Sequence, residues 1–261
     1  MSSKTDQRAK EILRLLLRHG KTSIEELTGA FGTSPASVRR DLVRLEERGL
    51  VHRTHGGAML AEQAVYEPFR FDASFQVRED RFAQEKQRIG AAAAGLVEEG
   101  ETVGLTAGTT TTQLARCLRQ RKNLRVVTNA VNIGMELSAS SGLIVNMTGG
   151  SMRWAGAFSL IGLSAIESLK TVVMDRVFIG VCGVDAERGA TTIEQDEAAV
   201  FRMMAEQAKQ VVVIADSSKV GMVSPAIICH ASELDILITD DGASEEMLAG
   251  FTRAGVKVLV V

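Results

Sequence analysis

Cysteine is scarce in this sequence and offers no pairing. Cys117, Cys182 and Cys229 are widely spaced and odd in number, so neither a disulfide framework nor a C-x-x-C metal pair is available; reduced, mostly buried thiols are expected. Long apolar runs are also missing. No stretch approaches the roughly 20 apolar residues that span a bilayer, and Met1-Ser2-Ser3-Lys4-Thr5-Asp6 holds no apolar signal region. Cytoplasm is therefore the expected location. Internal repeats and low-complexity tracts are absent. What remains is a chain of 261 residues, 45% hydrophobic and 24% charged, the balance of a soluble globular protein of one or two domains.

The overall charge of −2 conceals an asymmetry. Residues 1–57 carry 11 Lys and Arg against 7 Asp and Glu, a balance of +4, which leaves −6 for the remainder. His19, His52 and His55 lie in the same basic part. A basic head on an acidic body suits a polyanionic partner for the head.

The head reads as a winged helix-turn-helix. Ala9, Ile12, Leu13, Leu16 and Leu17 recur at helical spacing over residues 6–18. Ser23-Ile24-Glu25-Glu26 is an S-x-x-E capping box opening a second helix that runs to Phe31. After the turn Gly32-Thr33, Ser34 as N-cap and Pro35 at the first helical position open a third helix, which continues through Arg48. Two helices joined by a short glycine-containing turn carry the helix-turn-helix signature. Strand-like residues from Leu50 to the double glycine Gly56-Gly57 and Ala58 read as a small β-wing.

On the third helix, Val38, Leu42 and Leu45 form the packing stripe. At about 100° per residue, Arg40 lies about 160° and Arg44 about 120° from Val38, with Ser37 on that flank and Arg39 on the other. Cations and small hydroxyls near the start of such a helix suit the major groove of double-stranded DNA, where arginines neutralise phosphate or grip guanine. Ser34, Ser37, Arg39, Arg40 and Arg44 are the candidate DNA-binding residues. Asp41, Glu46 and Glu47 must face away from phosphate. On the wing, Arg53 and His55, with His52, either reach the duplex or simply close the small domain.

From residue 81 the pattern changes. β-branched runs without strict alternation recur at 102–105, 124–128, 143–147, 176–181, 211–215, 235–239 and 257–261, the signature of strands buried on both faces. Helical segments fall near 81–98, 110–119, 130–140, 158–170, 194–209 and 244–254. The expectation is an α/β domain with a mainly parallel sheet and helices on both faces. The expected divisions are 1–58 for the DNA-binding head, 59–80 for a linker with one short helix, and 81–261 for the larger domain.

Within that domain Gly104-Leu105-Thr106-Ala107-Gly108-Thr109-Thr110-Thr111-Thr112 follows a strand and precedes a helix. Glycine, hydroxyls and a helix N-terminus make an anion site, although no Lys follows as in a Walker A loop and no G-x-G-x-x-G is present. Thr128-Asn129, Gly149-Gly150 and Asp216-Ser217-Ser218-Lys219 end other strands and converge on the same sheet edge. The candidate ligand residues are Gly108, Thr109, Thr110, Thr111, Thr128, Asn129, Gly149, Gly150 and Lys219. Asp185, Asp196 and Glu197 are conceivable acid–base groups, but no Ser/His/Asp order or metal spacing accompanies them. Glu194 and Glu197 fit better as helix openers, where negative charge is favoured. No enzyme activity, cofactor or metal is expected.

These residues, taken in order, resemble the DeoR-type transcriptional regulators over nearly the whole chain. The resemblance rests on Thr33-Ser34, Arg39-Arg40-Asp41-Leu42, Leu45-Glu46, Gly49, Arg53 and Gly56-Gly57-Ala58, then on Ala107-Gly108-Thr109-Thr110, Val127-Thr128-Asn129, Thr148-Gly149-Gly150, Asp175 through Gly180 and Asp216-Ser217-Ser218-Lys219. It implies a sensor similar to the sugar-phosphate isomerase and CoA-transferase fold, used for binding, and repression of a carbohydrate-catabolic operon relieved by a phosphorylated sugar. A homodimer or homotetramer on operator DNA is the expected assembly, with no membrane partner. Two positions depart from the family pattern: Thr106 stands where Asp is usual, and Phe201, beside Arg202, where a basic residue is usual. The rival readings are an isomerase-like enzyme acting on a sugar phosphate, which turnover would reveal, and an activator or dual regulator.

Overall fold

The computed structural model describes residues 8–9, 11–13, 15–16, 21–47, 50–54, 56–60, 73–153 and 158–261. They form two compact units, Met1–Asp72 and Ala73–Val261.

In the first unit, residues 8–9, 11–13 and 15–16 are helical (α1). Strand β1 (Lys21–Ser23) leads into α2 (Ile24–Phe31), and α3 spans Pro35–Glu47. The capping box at the start of α2 is formed: Glu26 N–H donates to Ser23 Oγ at 3.1 Å and Ser23 N–H donates to Glu26 Oε2 at 2.8 Å. Gly32 ends α2 in the left-handed conformation, φ 55°, where glycine carries no steric penalty. The wing strands β2 (Val51–Thr54) and β3 (Gly57–Leu60) pair antiparallel, and β1 joins the far edge of β3. Ile12, Leu13, Leu16, Leu27, Val38, Leu42, Leu45 and Val51 are buried together, so the aliphatic stripe of α3 faces inward as its spacing predicts.

The second unit opens with α4 (Ala73–Asp80) and α5 (Ala83–Gly95). Its centre is a sheet of seven parallel strands: β4 (Thr102–Leu105), β5 (Leu124–Thr128), β6 (Leu143–Met147), β9 (Arg176–Gly180), β12 (Val211–Ile214), β14 (Ile236–Thr239) and β15 (Lys257–Val260). Every strand expected from the β-branched runs is present, within a residue or two of its predicted ends. Helices α6 (Thr109–Leu118), α7 (Val131–Leu137), α9 (Gln195–Glu206) and α10 (Glu245–Arg253) also fall where the periodicity predicts, whereas the helix expected over 158–170 is confined to α8 (Leu163–Leu169), residues 159–161 being a strand paired to Ser151–Arg153. A hairpin, β7 (Ser151–Arg153) with β8 (Ser159–Ile161), and a small antiparallel sheet of β10 (Gly183–Asp185), β11 (Gly189–Thr192) and β13 (Ala226–Cys229) complete the unit.

The order across the large sheet is β15-β14-β12-β9-β4-β5-β6. The chain works outward from β4 to one edge and then outward from β9 to the other. Adjacent strands whose connections leave in opposite directions open a crevice beyond their carboxyl ends, the usual ligand position in such sheets. Right-handed crossovers then lay α6 and α7 on one face and α9 and α10 on the other.

The close approach of α5 to α6 brings both onto that crevice. A Cβ at Gly90 of α5 would stand 2.8 Å from Leu114 N and 2.9 Å from Gln113 C of α6, and backbone atoms cannot yield. Gly90→Ala should therefore destabilise the unit by about 1–2 kcal/mol, because overpacking of about 1–3 kcal/mol outweighs the helix-propensity gain of about 1 kcal/mol; urea titration read by circular dichroism measures it.

Candidate functional site

The helix-turn-helix surface is built from α3 and the wing. Arg39, Arg40 and Arg44 are exposed, while Val38, Leu42 and Leu45 hold the helix from behind. Ser34 caps the helix: Ser37 N–H donates to its Oγ at 3.3 Å, and the two hydroxyl oxygens lie 3.0 Å apart. Arg40 Nη2 donates to Ser37 Oγ at 3.3 Å, so the polar flank is linked. The acidic residues are accounted for as well. Asp41 is buried and receives Arg8 Nε at 2.6 Å. Glu46 accepts the Arg53 backbone N–H at 3.0 Å and Arg53 Nε at 2.5 Å, bonds that hold its carboxyl below the usual carboxylate range. Arg53 thus ties the wing to α3 while staying exposed, and with Arg39 it lines a hollow of about 430 Å³ between them. His55 lies outside the described residues.

The second site is the crevice beyond β4 and β9, a cavity of about 320 Å³. Gly108, Thr109 and Thr110 line it at the start of α6, where first-turn N–H groups have no partner within the helix and carry partial positive charge. Thr111 and Thr112 hydroxyls turn back to Gly108 O, at 2.9 and 2.7 Å, fastening the loop. Lys219 lines the wall from the turn Ser217–Lys219. That turn is anchored by Ser217 N–H on Asp240 Oδ2 at 2.6 Å. Burial alone would raise the pKa of Asp240, but the N–H bonds from Ser217 and Gly242 bring it below its ordinary value.

Thr128, Asn129, Gly149 and Gly150 are placed differently from the lining residues. Asn129 is fully buried behind the loop, its Oδ1 accepting Ala107 N–H at 3.0 Å and its Nδ2 donating to Leu160 O at 3.2 Å. Thr128 Oγ1 donates to Leu105 O at 2.7 Å and accepts Ala130 N–H at 3.0 Å. Gly150 adopts φ 107°, where a Cβ would meet Ile161 O at 2.5 Å. Asn129 holds the loop that carries Gly108–Thr110, Thr128 and Gly150 hold neighbouring backbone, and none of the four lines the cavity.

Four charged lining residues escaped sequence reasoning. Lys86 of α5 is buried, donates to the carbonyl oxygens of Arg78 and Arg81, and stands 3.9 Å from Asp216 Oδ2. Burial lowers its pKa, Asp216 opposes that, and Lys219 and Arg78 add to the lowering. The available signal was a lysine at the same helical phase as buried Ile89, Gly90 and Ala93. Arg78 and Arg81 line the cavity from α4 and the turn after it. Arg153 of β7 reaches Glu194 Oε1 at 2.8 Å and Glu197 Oε2 at 3.1 Å. Glu197 Oε1 also accepts Ser159 Oγ at 2.6 Å. Glu194 and Glu197 do open α9, as expected, and there they hold an arginine too.

The two departures from the family pattern have different settings. Thr106 is fully buried; its Oγ1 accepts Gly180 N–H at 3.0 Å, so it joins β4 to β9. Phe201 lines the cavity, whereas Arg202 turns to the carbonyls of Ile227 and Ile228. Among other titratable groups, Asp185 caps a hairpin turn through the N–H groups of Glu187 and Arg188, and Asp196 and His230 are exposed. No group of three or more His, Cys, Asp or Glu that could hold a metal ion occurs among the described residues, and no described helix is long and apolar enough to cross a membrane. The expectation of mostly buried thiols needs correcting: Cys229 is buried, with its pKa pushed up to about 12 by desolvation, but Cys182 is half-buried and Cys117 exposed, since Cys117 falls on the outer face of α6.

A winged helix-turn-helix followed by an α/β unit with a cation-lined crevice is the build of a transcriptional regulator with a sensor domain. The chain belongs to the DeoR family: residues 8–64 match the DeoR-like helix-turn-helix domain and residues 81–241 the DeoR C-terminal sensor domain. Its relatives include the HTH-type transcriptional repressor GlcR of Bacillus subtilis, 34% identical over 98% of this chain and 96% of that protein. The HTH-type transcriptional regulator GlpR of Haloferax volcanii is 32% identical over 97% and 96%. The glycerol-3-phosphate regulon repressor of Escherichia coli is 30% identical over 91% of each. Solved structures are more distant: the sorbitol operon regulator SorC of Klebsiella pneumoniae covers 96% of this chain and 100% of that one at 13% identity, TM-score 0.41.

Asn129→Ala removes the partner of two buried backbone groups, so it should cost about 1–3 kcal/mol without any ligand present. A urea midpoint unmoved in the ligand-free protein would mean that Asn129 does not hold the loop.

Proposed function

We propose that this protein represses a carbohydrate-catabolic operon and releases operator DNA when a phosphorylated sugar occupies the β4–β9 crevice. In this reading residues 1–58 bind DNA, 81–261 sense the effector and 59–80 join them in a cytoplasmic homodimer or homotetramer. The observation that carries the reading is the conjunction, in one chain of this family, of an exposed arginine row on α3 and an anion-suited α6 N-terminus inside a cationic cavity. Dimeric helix-turn-helix proteins match two half-sites through their own symmetry. Ser34, Ser37, Arg39, Arg40, Arg44, Arg53 and His55 meet the duplex, with Asp41 turned inward and Glu46 neutralised.

In the crevice, Gly108–Thr110 and Lys219 take the phosphate, while Thr111, Thr128, Asn129, Gly149 and Gly150 hold the loops in shape. Binding without turnover is supported by the engagement of both lining carboxylates: Glu197 by Arg153 and Ser159, Asp216 by Ser218 and Lys86. Phe201 supplies an apolar surface where relatives usually carry charge, which narrows the effector to one with a hydroxyl-poor or substituted face.

Arg40→Ala should weaken binding to a DNA fragment selected by the native protein and lower the slope of log K against log salt by about 0.9, the share of a single neutralised phosphate. Affinity and slope both unchanged in a fluorescence-anisotropy titration would remove Arg40 from the interface.

A further inference from the structure

The segment between the two family-matched regions, residues 65–80, would by position alone be a connector. Its second half is α4, and α4 is fixed to the sensor unit at three places. Phe75 is 2% exposed and its ring lies 5.2 Å from that of the fully buried Phe158. Glu79, also buried, meets Arg116 Nη1 of α6 at 2.8 Å. The buried Lys86 ammonium holds the carboxyl end through the carbonyls of Arg78 and Arg81.

So anchored, α4 and the turn after it form one wall of the effector cavity through Arg78, Arg81 and Phe82. Both arginines are exposed, and their guanidinium carbons lie 5.9 Å over Phe75 and 5.2 Å over Phe82. Gly108–Thr110 and Lys219 line the same cavity. Buried charge is already matched: Lys86 has Asp216, and Arg153 has Glu194 and Glu197. Arginine favours bidentate contact with phosphate or carboxylate, and exposed guanidinium groups can close on a ligand without the cost of breaking a buried pair.

We propose that α4 belongs to the effector site, with Arg78 and Arg81 as binding residues that close on the effector's anionic group and Lys86 as the positioning residue that keeps α4 in place. The inference rests on the reading of the crevice as an anion-sensing site. It also gives the effector a direct hold on the first helix after the DNA-binding unit in the chain.

Inorganic phosphate, titrated into the full-length protein by calorimetry, tests it. Relative to the native chain, the double variant Arg78→Ala/Arg81→Ala should bind phosphate about tenfold or more weakly, the loss of charge-assisted hydrogen bonds. Arg78→Lys/Arg81→Lys should recover part of that loss. Both side chains are exposed, so an unliganded melting temperature close to native reports intact folding. Hydrogen exchange of amides 75–82 should slow on phosphate addition in the native chain and not in the alanine variant. Equal phosphate affinity in native and alanine chains, with unaltered exchange over 75–82, overturns the role of α4 and leaves the crevice reading standing. A native chain that fails to bind phosphate at tens of millimolar overturns both.

Discussion

One buried hydrogen bond, Gly180 N–H to Thr106 Oγ1, joins the ends of the two strands on which the sensor site depends. β4 and β9 are neighbours whose connections depart in opposite directions, so nothing in the sheet itself closes the space beyond them. The threonine bridges the two strands beside Ala107 and Gly180, which line the crevice. Gly108 and Gly180 then pass within van der Waals reach of each other, a Cβ on Gly108 falling 3.7 Å from Gly180 Cα. A carboxylate at position 106 would accept the same N–H but bring charge into a fully buried place, where it needs further donors or a ligand. With threonine that place is neutral and its hydroxyl oxygen is satisfied, and recognition passes to the walls.

The walls show how charge is distributed between holding the fold and meeting a partner. Buried ionic groups are matched in pairs, Asp41 with Arg8, Glu197 with Arg153, Glu79 with Arg116 and Lys86 with Asp216, while Asp240 is met by backbone N–H groups. Such pairs add little net stability, because desolvation offsets attraction, yet removing one member is costly. They therefore specify arrangement. The exposed cations, Arg39, Arg40 and Arg44 on α3 and Arg78 and Arg81 at the crevice, are in high dielectric, where contact with a mobile anion carries less desolvation cost.

Much of the architecture was legible because it is local. Runs such as Val211-Val212-Val213-Ile214 have few other stable placements than a strand covered on both faces, and Ser23–Glu26 announces its helix in four residues. The missed elements are those whose stability is borrowed. Strands β10, β11 and β13 are three or four residues each and exist through pairing across distant sequence; α4, the short helix expected somewhere within 59–80, shows too little amphipathic pattern for its bounds to be read. At the site, the Gly/Thr loop was readable as an anion cradle, but Thr128 and Asn129 were not distinguishable from ligand groups. Hydroxyls and amides at strand ends carry the same signature whether they bond a sugar or their own backbone. Arg153 enters the cavity from a hairpin far in sequence from Arg78 and Lys86, which no spacing rule reaches, whereas Lys86 shares the helical phase of buried Ile89.

These assignments constrain how a ligand in the crevice can matter to DNA. An effector shifts an equilibrium only by its differential affinity for the two arrangements, so residues with fixed partners in a rigid core have little to contribute. The Gly108–Thr110 loop is such a place: Asn129 and the hydroxyls of Thr111 and Thr112 hold it through bonds within the protein. It can supply affinity, but hardly difference. Under the proposal above, the exposed arginines of the α4 wall are of the other kind, since exposed side chains can change position on meeting an anion. α4 is the first described element after the wing strand that ends at Leu60, so in this proposal the effector contacts the sensor-unit element nearest in sequence to the DNA-binding unit. Affinity and coupling are then divided between two walls of one cavity, and a variant can lose either while keeping the other.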